Sequence, residues 1–279
     1  MSQSDRINFC RSISNSKERR KLLLETGELA DCTIRVSEEQ ALESSSSLEK
    51  GEASSAEGES TDNASPDIIF SCHKMVLATA SEVFERMFFG DFKGDIRITD
   101  ISPEILKAFL NYVYTYELDP NFVTVNNFKE LMYVADKYMV GDFSSACIEI
   151  LKKKTWDIGD IFPIFEVACF YENISLLSLS YEKICTHATA LLNHWTFYDL
   201  DVNYMKRLMV LLTQYNELKS TTLLDALERY GKKNHCSDQQ EMALVDAAFS
   251  LNFTDLSDRE YALGPNISYL FCENQNESG

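Results

Sequence analysis

The chain of 279 residues is 45% hydrophobic and 11% aromatic, which is enough apolar material for the cores of two ordinary domains. Its formal net charge of −18 argues against a nucleic-acid-binding protein, because such proteins neutralise phosphates with clustered lysines and arginines. The longest strongly apolar stretch, near residues 208–212, is far shorter than the roughly 20 residues of a membrane-spanning helix. We therefore expect no nucleic-acid partner and no membrane partner.

The cysteines are scattered singly, without a CxxC pair, and the N-terminus lacks the pattern of a secretion signal. Because disulfides are rare in reducing compartments, we predict free thiols and a cytoplasmic or nuclear location. The cysteines are Cys10, Cys32, Cys72, Cys147, Cys169, Cys185, Cys236 and Cys272.

The first predicted elements are a helix over residues 16–25 and a strand over residues 32–36. The helix has a charged beginning and an apolar end, and Gly27 is expected to terminate it. The strand is predicted from strict alternation of apolar and polar residues.

Residues 37–67 break this pattern with nine serines, nine acidic residues and one lysine. Such a composition buries too little apolar surface to offset the entropy of ordering, so we predict a disordered insertion at 38–66. Loop closure costs only about 0.6 kcal/mol more for each doubling of loop length, and a fold therefore tolerates such an insertion.

The stretch 69–90 opens with an alternating run that predicts a strand and continues as an amphipathic helix. Thr79 is the expected N-cap, with Glu82 completing a capping box three residues later. Gly90 is expected to end this helix in the left-handed conformation.

This stretch resembles the core signature of the BTB/POZ domain, an α+β protein-interaction module. The same residues also fit a buried strand–helix corner of unknown type, but the following segments match the family in order. These are a strand at 96–99, a helix with Ser102 as N-cap and Pro103 as its first residue, and a helix at 131–140. The signature residues are Phe70, His73, Lys74, Val76, Leu77, Ala78, Ser81, Val83, Phe84, Met87 and Phe88.

From Trp156 onward the strand signals vanish and helical periodicity continues. Three segments, 168–184, 223–231 and 257–265, resemble the BACK domain, an all-helical module that follows BTB in many cullin-3 adaptors. The resemblance is to proteins of the BTB-BACK-PHR kind, although Tyr230 stands where that family usually has tryptophan.

The expected fold class is therefore α+β, a BTB/POZ fold with a helical cluster and a small sheet, followed by an all-α domain. We expect an N-terminal tail at 1–13 and a BTB/POZ domain at 14–154 that contains the insertion at 38–66. A BACK-like helical domain is expected at 155–279, without a PHR domain.

In BTB proteins the helix ahead of the first strand packs across a two-fold dimer axis. The resemblance therefore implies a homodimer whose interface includes Leu22, Leu23 and Leu24, with Asp31 and Lys74 at the positions of an acidic residue and its basic partner. Considered from the residues alone, Asp31 fits equally well as a side chain that caps a turn.

The sequence contains no phosphate-binding glycine loop, no nucleophile–base arrangement and no spaced metal ligands. His73 belongs to the BTB signature, while Cys185 and His187 are two residues apart on a predicted helix and point to different faces. We therefore expect no catalytic residues, no cofactor and no metal, and the chain is predicted not to be an enzyme.

Cullin-3 binding by BTB domains uses an apolar-x-Glu motif after the helix that ends here at Gly90. The equivalent residues are Phe92, Lys93 and Gly94, with Asp95 one place late. The apolar anchor is thus present, while the glutamate is absent or displaced by one residue.

The resemblance implies a dimeric adaptor that brings an unknown protein substrate to a cullin-3 RING ubiquitin ligase. The alternative is a BTB-mediated scaffold or transcription-related co-regulator that dimerises without ligase function. The missing glutamate favours the alternative, and the BACK-like region favours the adaptor. The expected cullin-type partner surface comprises Met87, Phe88, Phe92, Asp95 and Tyr138.

Overall fold

The structure, a computed structural model, describes most of the chain outside the termini and the acidic insertion. The predicted tail at 1–13 and the predicted insertion at 38–66 lie outside the described residues. Contacts divide the chain into two compact units, Met1–Leu151 and Lys152–Gly279. The described ranges are 15–37, 67–90, 96–214, 218–254, 256–264 and 268–272.

The first unit combines a three-stranded sheet with a cluster of helices. Its elements in chain order are α1 (Ser16–Thr26), β1 (Cys32–Val36), β2 (Ile68–Cys72), α2 (Lys74–Ala80), α3 (Glu82–Phe89), β3 (Ile96–Ile98), α4 (Pro103–Thr115), α5 (Val125–Lys137) and α6 (Gly141–Lys152).

Strand β1 is the centre of the sheet, with β2 antiparallel on one side and β3 parallel on the other. Ile34 of β1 lies opposite Phe70 of β2 and Ile96 of β3. Ile34 and Val36 are fully buried while Arg35 is exposed. The alternation in the sequence therefore predicted both the strand and the side that it buries.

Helix α1 ends as predicted from the glycine at its C-terminus. Gly27 adopts the left-handed conformation, with φ of 65°, and its backbone N–H donates to Leu23 O. A β-carbon at this position would lie only 2.9 Å from Ser71 Cβ in strand β2. Both the backbone conformation and the close approach of the strand therefore require glycine.

The predicted single helix starting at Thr79 is wrong, because the structure has two helices that meet at Ser81. Thr79 lies inside α2, where its hydroxyl donates to Val76 O at 2.9 Å. Ser81 is the actual N-cap of α3, and its Oγ accepts from the backbone N–H of Phe84 at 3.2 Å.

The expected left-handed end of this helix is also wrong. Gly90 is extended, with φ of −90° and ψ of −157°. A β-carbon there would lie 2.4 Å from the carbonyl oxygen of Arg86. Glycine is therefore required by the closeness of the helix backbone and not by a left-handed turn.

The core of the first unit contains a stack of aromatic rings that joins α3, α4 and α6. The ring of Tyr138 stacks on Phe84, with centroids 4.4 Å apart, and on Phe109 at 5.5 Å. Phe109 in turn meets Phe143 edge-on at 5.2 Å. All four side chains are at most 1% exposed, so they fix the helices to one another.

All described elements of the second unit are helical, as expected for an all-α region. They are α7 (Ile158–Phe170), α8 (Ile174–Leu191), α9 (Thr196–Asp199), a 3-10 turn (Val202–Tyr204), α10 (Met205–Thr213), α11 (Ser220–Asn234), α12 (Asp238–Phe249), α13 (Asp258–Leu263) and α14 (Tyr269–Cys272).

Candidate interaction surfaces

Helix α1, which carries the predicted dimer leucines, packs on the C-terminal end of α4 within the same chain. Lys17 forms an ion pair with Glu117, and the Arg20 guanidinium lies 5.7 Å from the centre of the Tyr116 ring. Leu22–24 are half-buried, and α1 has no fully buried residue. The helix therefore has an attachment to its own domain and keeps part of its apolar side accessible.

Asp31 contacts Lys74 through the backbone and not through the ammonium group. Its Oδ1 accepts a 2.7 Å hydrogen bond from the backbone N–H of Lys74, the first residue of α2. Within the described residues, these two side chains form no ion pair. The geometry thus agrees with the capping alternative for Asp31, and the place of both residues in a dimer interface stays a prediction.

His73 joins three segments at the start of α2. Its backbone N–H donates to Tyr114 Oη at 2.8 Å, and its ring Nδ1 lies 2.9 Å from the same oxygen. Its Nε2 lies 2.7 Å from the backbone oxygen of Glu28, in the segment between α1 and β1. This arrangement gives the histidine of the signature a structural role, in agreement with the sequence prediction.

Tyr138 is not part of a partner surface, which corrects the sequence prediction. It is only 1% exposed, and its ring lies in the aromatic stack beneath α3. Its backbone oxygen accepts a 2.5 Å hydrogen bond from Ser81 Oγ. Tyr138 therefore fixes the position of the N-terminus of α3 through this hydrogen bond and the ring stack. Periodicity did not reveal this, since it cannot distinguish a buried aromatic from an exposed one at the end of a helix.

Two of the other predicted partner residues lie on α3 and remain accessible. Met87 and Phe88 are half-buried, and the ring of Phe88 stacks on Phe84 with centroids 5.9 Å apart. Phe92 and Asp95 lie outside the described residues, so their part in this surface stays a prediction.

The structure adds two exposed apolar side chains that the sequence analysis missed. Phe89, the last residue of α3, is 60% exposed, and Met139, between α5 and α6, is 61% exposed. Met139 adopts a left-handed backbone, with φ of 53°, which turns the chain into α6. No sequence signal marked it, because left-handed residues are usually glycine or asparagine. We call Met87, Phe88 and Phe89, at the C-terminal end of α3, the α3 surface.

An ionised carboxylate lies at the end of β3. Asp100 accepts hydrogen bonds from Tyr133 Oη at 2.5 Å and from Lys137 Nζ at 2.6 Å. Burial raises the pKa of Asp100, but the hydrogen bonds from Lys137 and Tyr133 outweigh burial and leave the pKa below its ordinary value. This acidic group joins β3 to α5.

The buried thiols are poor candidates for chemistry. Burial raises the pKa values of Cys72 and Cys147 to about 12, which keeps both thiols protonated and weakly nucleophilic. Among the residues that the structure describes, no three or more His, Cys, Asp or Glu side chains converge as a metal site. None of the described helices combines the length and the apolar character needed to cross a bilayer.

Comparison with known proteins supports the assignment of the first unit. A family model described as the BTB/POZ domain matches residues 64–155. Human BTB/POZ domain-containing protein 3 is 29% identical over 140 residues, which are 49% of this chain and 26% of that protein. Kelch-like protein 40 of Xenopus tropicalis is 26% identical over 135 residues, 47% of this chain and 21% of that protein.

A mouse relative, BTB/POZ domain-containing protein 6, is 30% identical over 132 residues, 46% of this chain and 24% of that protein. The chain thus spans only about a quarter of the length of these relatives. The solved BTB domain of zebrafish PATZ1 is 23% identical, with a TM-score of 0.32, and covers 51% of this chain and 98% of its own. Residues 64–155 of this chain thus match the BTB/POZ domain in sequence, and the strand β1 that precedes them completes the sheet of the same unit.

Proposed function

We propose that this protein is a dimeric interaction adaptor that recruits a cullin-3 ubiquitin-ligase scaffold and presents a protein substrate to it. The observation that carries the proposal is the α3 surface on a BTB/POZ domain. The stack of Tyr138 on Phe84 and the hydrogen bond from Ser81 to Tyr138 hold α3 rigidly. Met87 and Phe88 are therefore presented on a fixed support, and a helix that docks there meets a preformed surface.

The partly exposed Leu22–24 of α1 support self-association. Half-buried leucines on a helix that is anchored by Lys17 and Arg20 suit an isologous contact, in which both copies use the same face. Sedimentation equilibrium at micromolar protein should give the mass of a dimer. Replacing Leu23 by Asp should shift the mass towards the monomer, and a wild-type monomer mass at every concentration would contradict dimerisation.

A scaffold that dimerises without a ligase is the second candidate. Gly94 stands where cullin-3 binders usually carry glutamate, so the carboxylate of the motif is either missing or displaced by one residue to Asp95. A scaffold of this kind does not need a BACK-like domain. In that case the second unit would bind other proteins directly.

Binding to a purified N-terminal fragment of cullin-3 separates the two candidates. We expect Phe92→Ala to weaken binding more than about thirtyfold, since buried aromatic anchors typically contribute about 2 kcal/mol or more. Gly94→Glu should strengthen binding by restoring the carboxylate. Phe170→Ala is the matched control, because Phe170 is 69% exposed in the second unit.

The melting temperature of each variant shows whether the domain remains folded. If wild-type protein binds no cullin-3, or if Phe92→Ala and Gly94→Glu both leave affinity unchanged, the ligase-independent scaffold is the better assignment.

A further inference from the structure

The helix α12 of the second unit has one buried side and one exposed apolar side. Leu244, Ala247 and Ala248 are completely buried, so they hold the helix in the core. On the opposite side Met242 is 72% exposed and Phe249 is 64% exposed. These two residues lie two helical turns apart and point in the same direction.

A shallow groove of about 680 Å³ runs along this exposed side. Val245 lies between Met242 and Phe249 and is half-buried, which makes the apolar stripe continuous. The ring of Phe249 also meets Phe271 of α14 edge-on, with centroids 5.3 Å apart. The groove is lined by Asp238, Glu241, Met242, Ala243, Val245, Asp246 and Phe249.

The rim of the stripe is acidic. Asp238, Glu241 and Asp246 flank the apolar residues. The Lys206 ammonium lies 2.8 Å from Asp246, but both side chains are more than half exposed, at 56% and 64%. Three carboxylates thus face one ammonium group, which leaves the groove with an excess of negative charge.

We propose that this side of α12 is a docking surface for a basic amphipathic helix of another protein. A helix with apolar residues at positions i, i+3 and i+7 matches Met242, Val245 and Phe249, and lysines or arginines beside them face the acidic rim. The flexible side chain of Met242 adapts to partners of different shape. The surface lies outside the BTB/POZ domain, so it gives the chain a binding function that is separate from the α3 surface.

The acidic segments of the chain itself do not fit this charge pattern. Residues 273–279 contain two glutamates and no basic residue, and residues 38–66 are strongly acidic. Residues 1–14 contain two arginines and one aspartate, so this segment of the chain is also tested as an occupant.

The test uses the full chain and a fluorescein-labelled synthetic helix with leucines at i, i+3 and i+7 and lysines elsewhere, measured by fluorescence anisotropy. We expect saturable binding, and Met242→Ala should weaken it about tenfold. Asp246→Asn should weaken it several-fold, because one rim carboxylate is lost. A peptide with glutamates in place of the lysines should not bind.

Three controls separate docking from general attraction to an acidic protein. A scrambled peptide keeps the charge but breaks the apolar spacing, and it should bind at least tenfold more weakly. Ile174→Ala is the matched variant for the apolar change, because Ile174 is 84% exposed on α8. Glu182→Gln, an exposed residue of the same helix, matches the loss of charge at Asp246, and neither control variant should alter affinity.

Equal binding of the scrambled peptide, or an unchanged affinity of Met242→Ala, would overturn the proposal. A synthetic peptide of residues 1–14 that competes more tightly than the basic helix would also overturn it, because the surface would then belong to the chain itself.

Discussion

At the scale of single residues, His73 shows how one side chain orders its surroundings. The Tyr114 oxygen accepts the backbone N–H of His73, so the tyrosine hydroxyl proton is available for Nδ1. Nε2 faces the backbone oxygen of Glu28, which can only accept, so Nε2 donates in this contact. This pattern gives both ring nitrogens a partner and links α2, α4 and the segment after α1.

We expect His73→Ala to lower the free energy of unfolding by about 2 to 4 kcal/mol, because the Tyr114 hydroxyl and the Glu28 carbonyl each lose a partner. Chemical denaturation followed by circular dichroism measures the change. Met75→Ala is the control on the same helix, since Met75 is 65% exposed, and it should change stability little. A cost for His73→Ala below that of the control would show that the network is unimportant.

The buried thiols predict how stability depends on pH. Burial raises the pKa of Cys147 from 9.0 to about 12, so the folded chain keeps this proton while the unfolded chain releases it above about pH 9. Stability is therefore fully present below pH 9 and falls as the pH rises towards 12, by about 1.4 kcal/mol per pH unit for each such proton.

We expect Cys147→Ala to make this alkaline decline less steep than in the wild-type chain, as measured by denaturation at several pH values from 8 to 11. Cys236→Ala is the comparison, because Cys236 is only half-buried, and its effect on the slope should be smaller. Parallel pH curves for wild type and Cys147→Ala would contradict the assigned shift.

At the scale of elements, Ser81 has two functions in one side chain. Its Oγ accepts from Phe84 N–H and so caps α3, and it donates to Tyr138 O below the helix. Ser81→Ala should therefore cost about 2 kcal/mol of stability, more than the roughly 1 kcal/mol of an ordinary N-cap.

Denaturation curves of Ser81→Ala and Thr79→Ala provide the measurement. Thr79 is exposed and its hydroxyl bonds only within α2, so its replacement should have a small effect. If Thr79→Ala proved the more damaging change, the cap assignment would be reversed.

Local chemistry explains how much of these elements the sequence predicts. Gly27 was recognisable as a helix end, because a glycine after a charged and apolar helical run has few other uses. Thr79 and Ser81 are both acceptable N-cap residues. Glu82, three residues after Thr79, completes a capping-box pattern for Thr79, although Ser81 is the actual cap. The choice depends on Tyr138, which comes from a helix far along the chain and is invisible to local patterns.

The exposed and buried apolar side chains of the first unit show the same limit. Met87 and Phe88 followed from helical spacing and from the resemblance to BTB domains. The exposure of Met139 depends on a left-handed turn, and the burial of Tyr138 depends on Phe84 and Phe109. Tertiary packing sets both, so no pattern within a short window of sequence reveals them.

At the scale of the whole molecule, the acidic insertion joins two strands whose ends already meet. Val36 is paired with Ile68 in the β1–β2 ladder, so a short turn can close the hairpin. Replacing residues 38–66 by a short Gly-Ser turn should leave the fold intact and raise the melting temperature slightly, because a shorter loop costs less entropy to close. Differential scanning calorimetry tests this, and a fall of several degrees would mean that the insertion stabilises the domain.

The parallel pairing of β1 with β3 has a consequence for the time course of folding. Ile34 of β1 pairs with Ile96 of β3. The insertion, strand β2 and helices α2 and α3 lie between these two residues in the sequence, so the β1–β3 pairing is a contact between distant parts of the chain. Contacts between residues so distant in sequence slow the search for the native state. The refolding rate of this domain should therefore be limited by the arrival of β3, whereas the unfolding rate should be nearly independent of the length of the insertion.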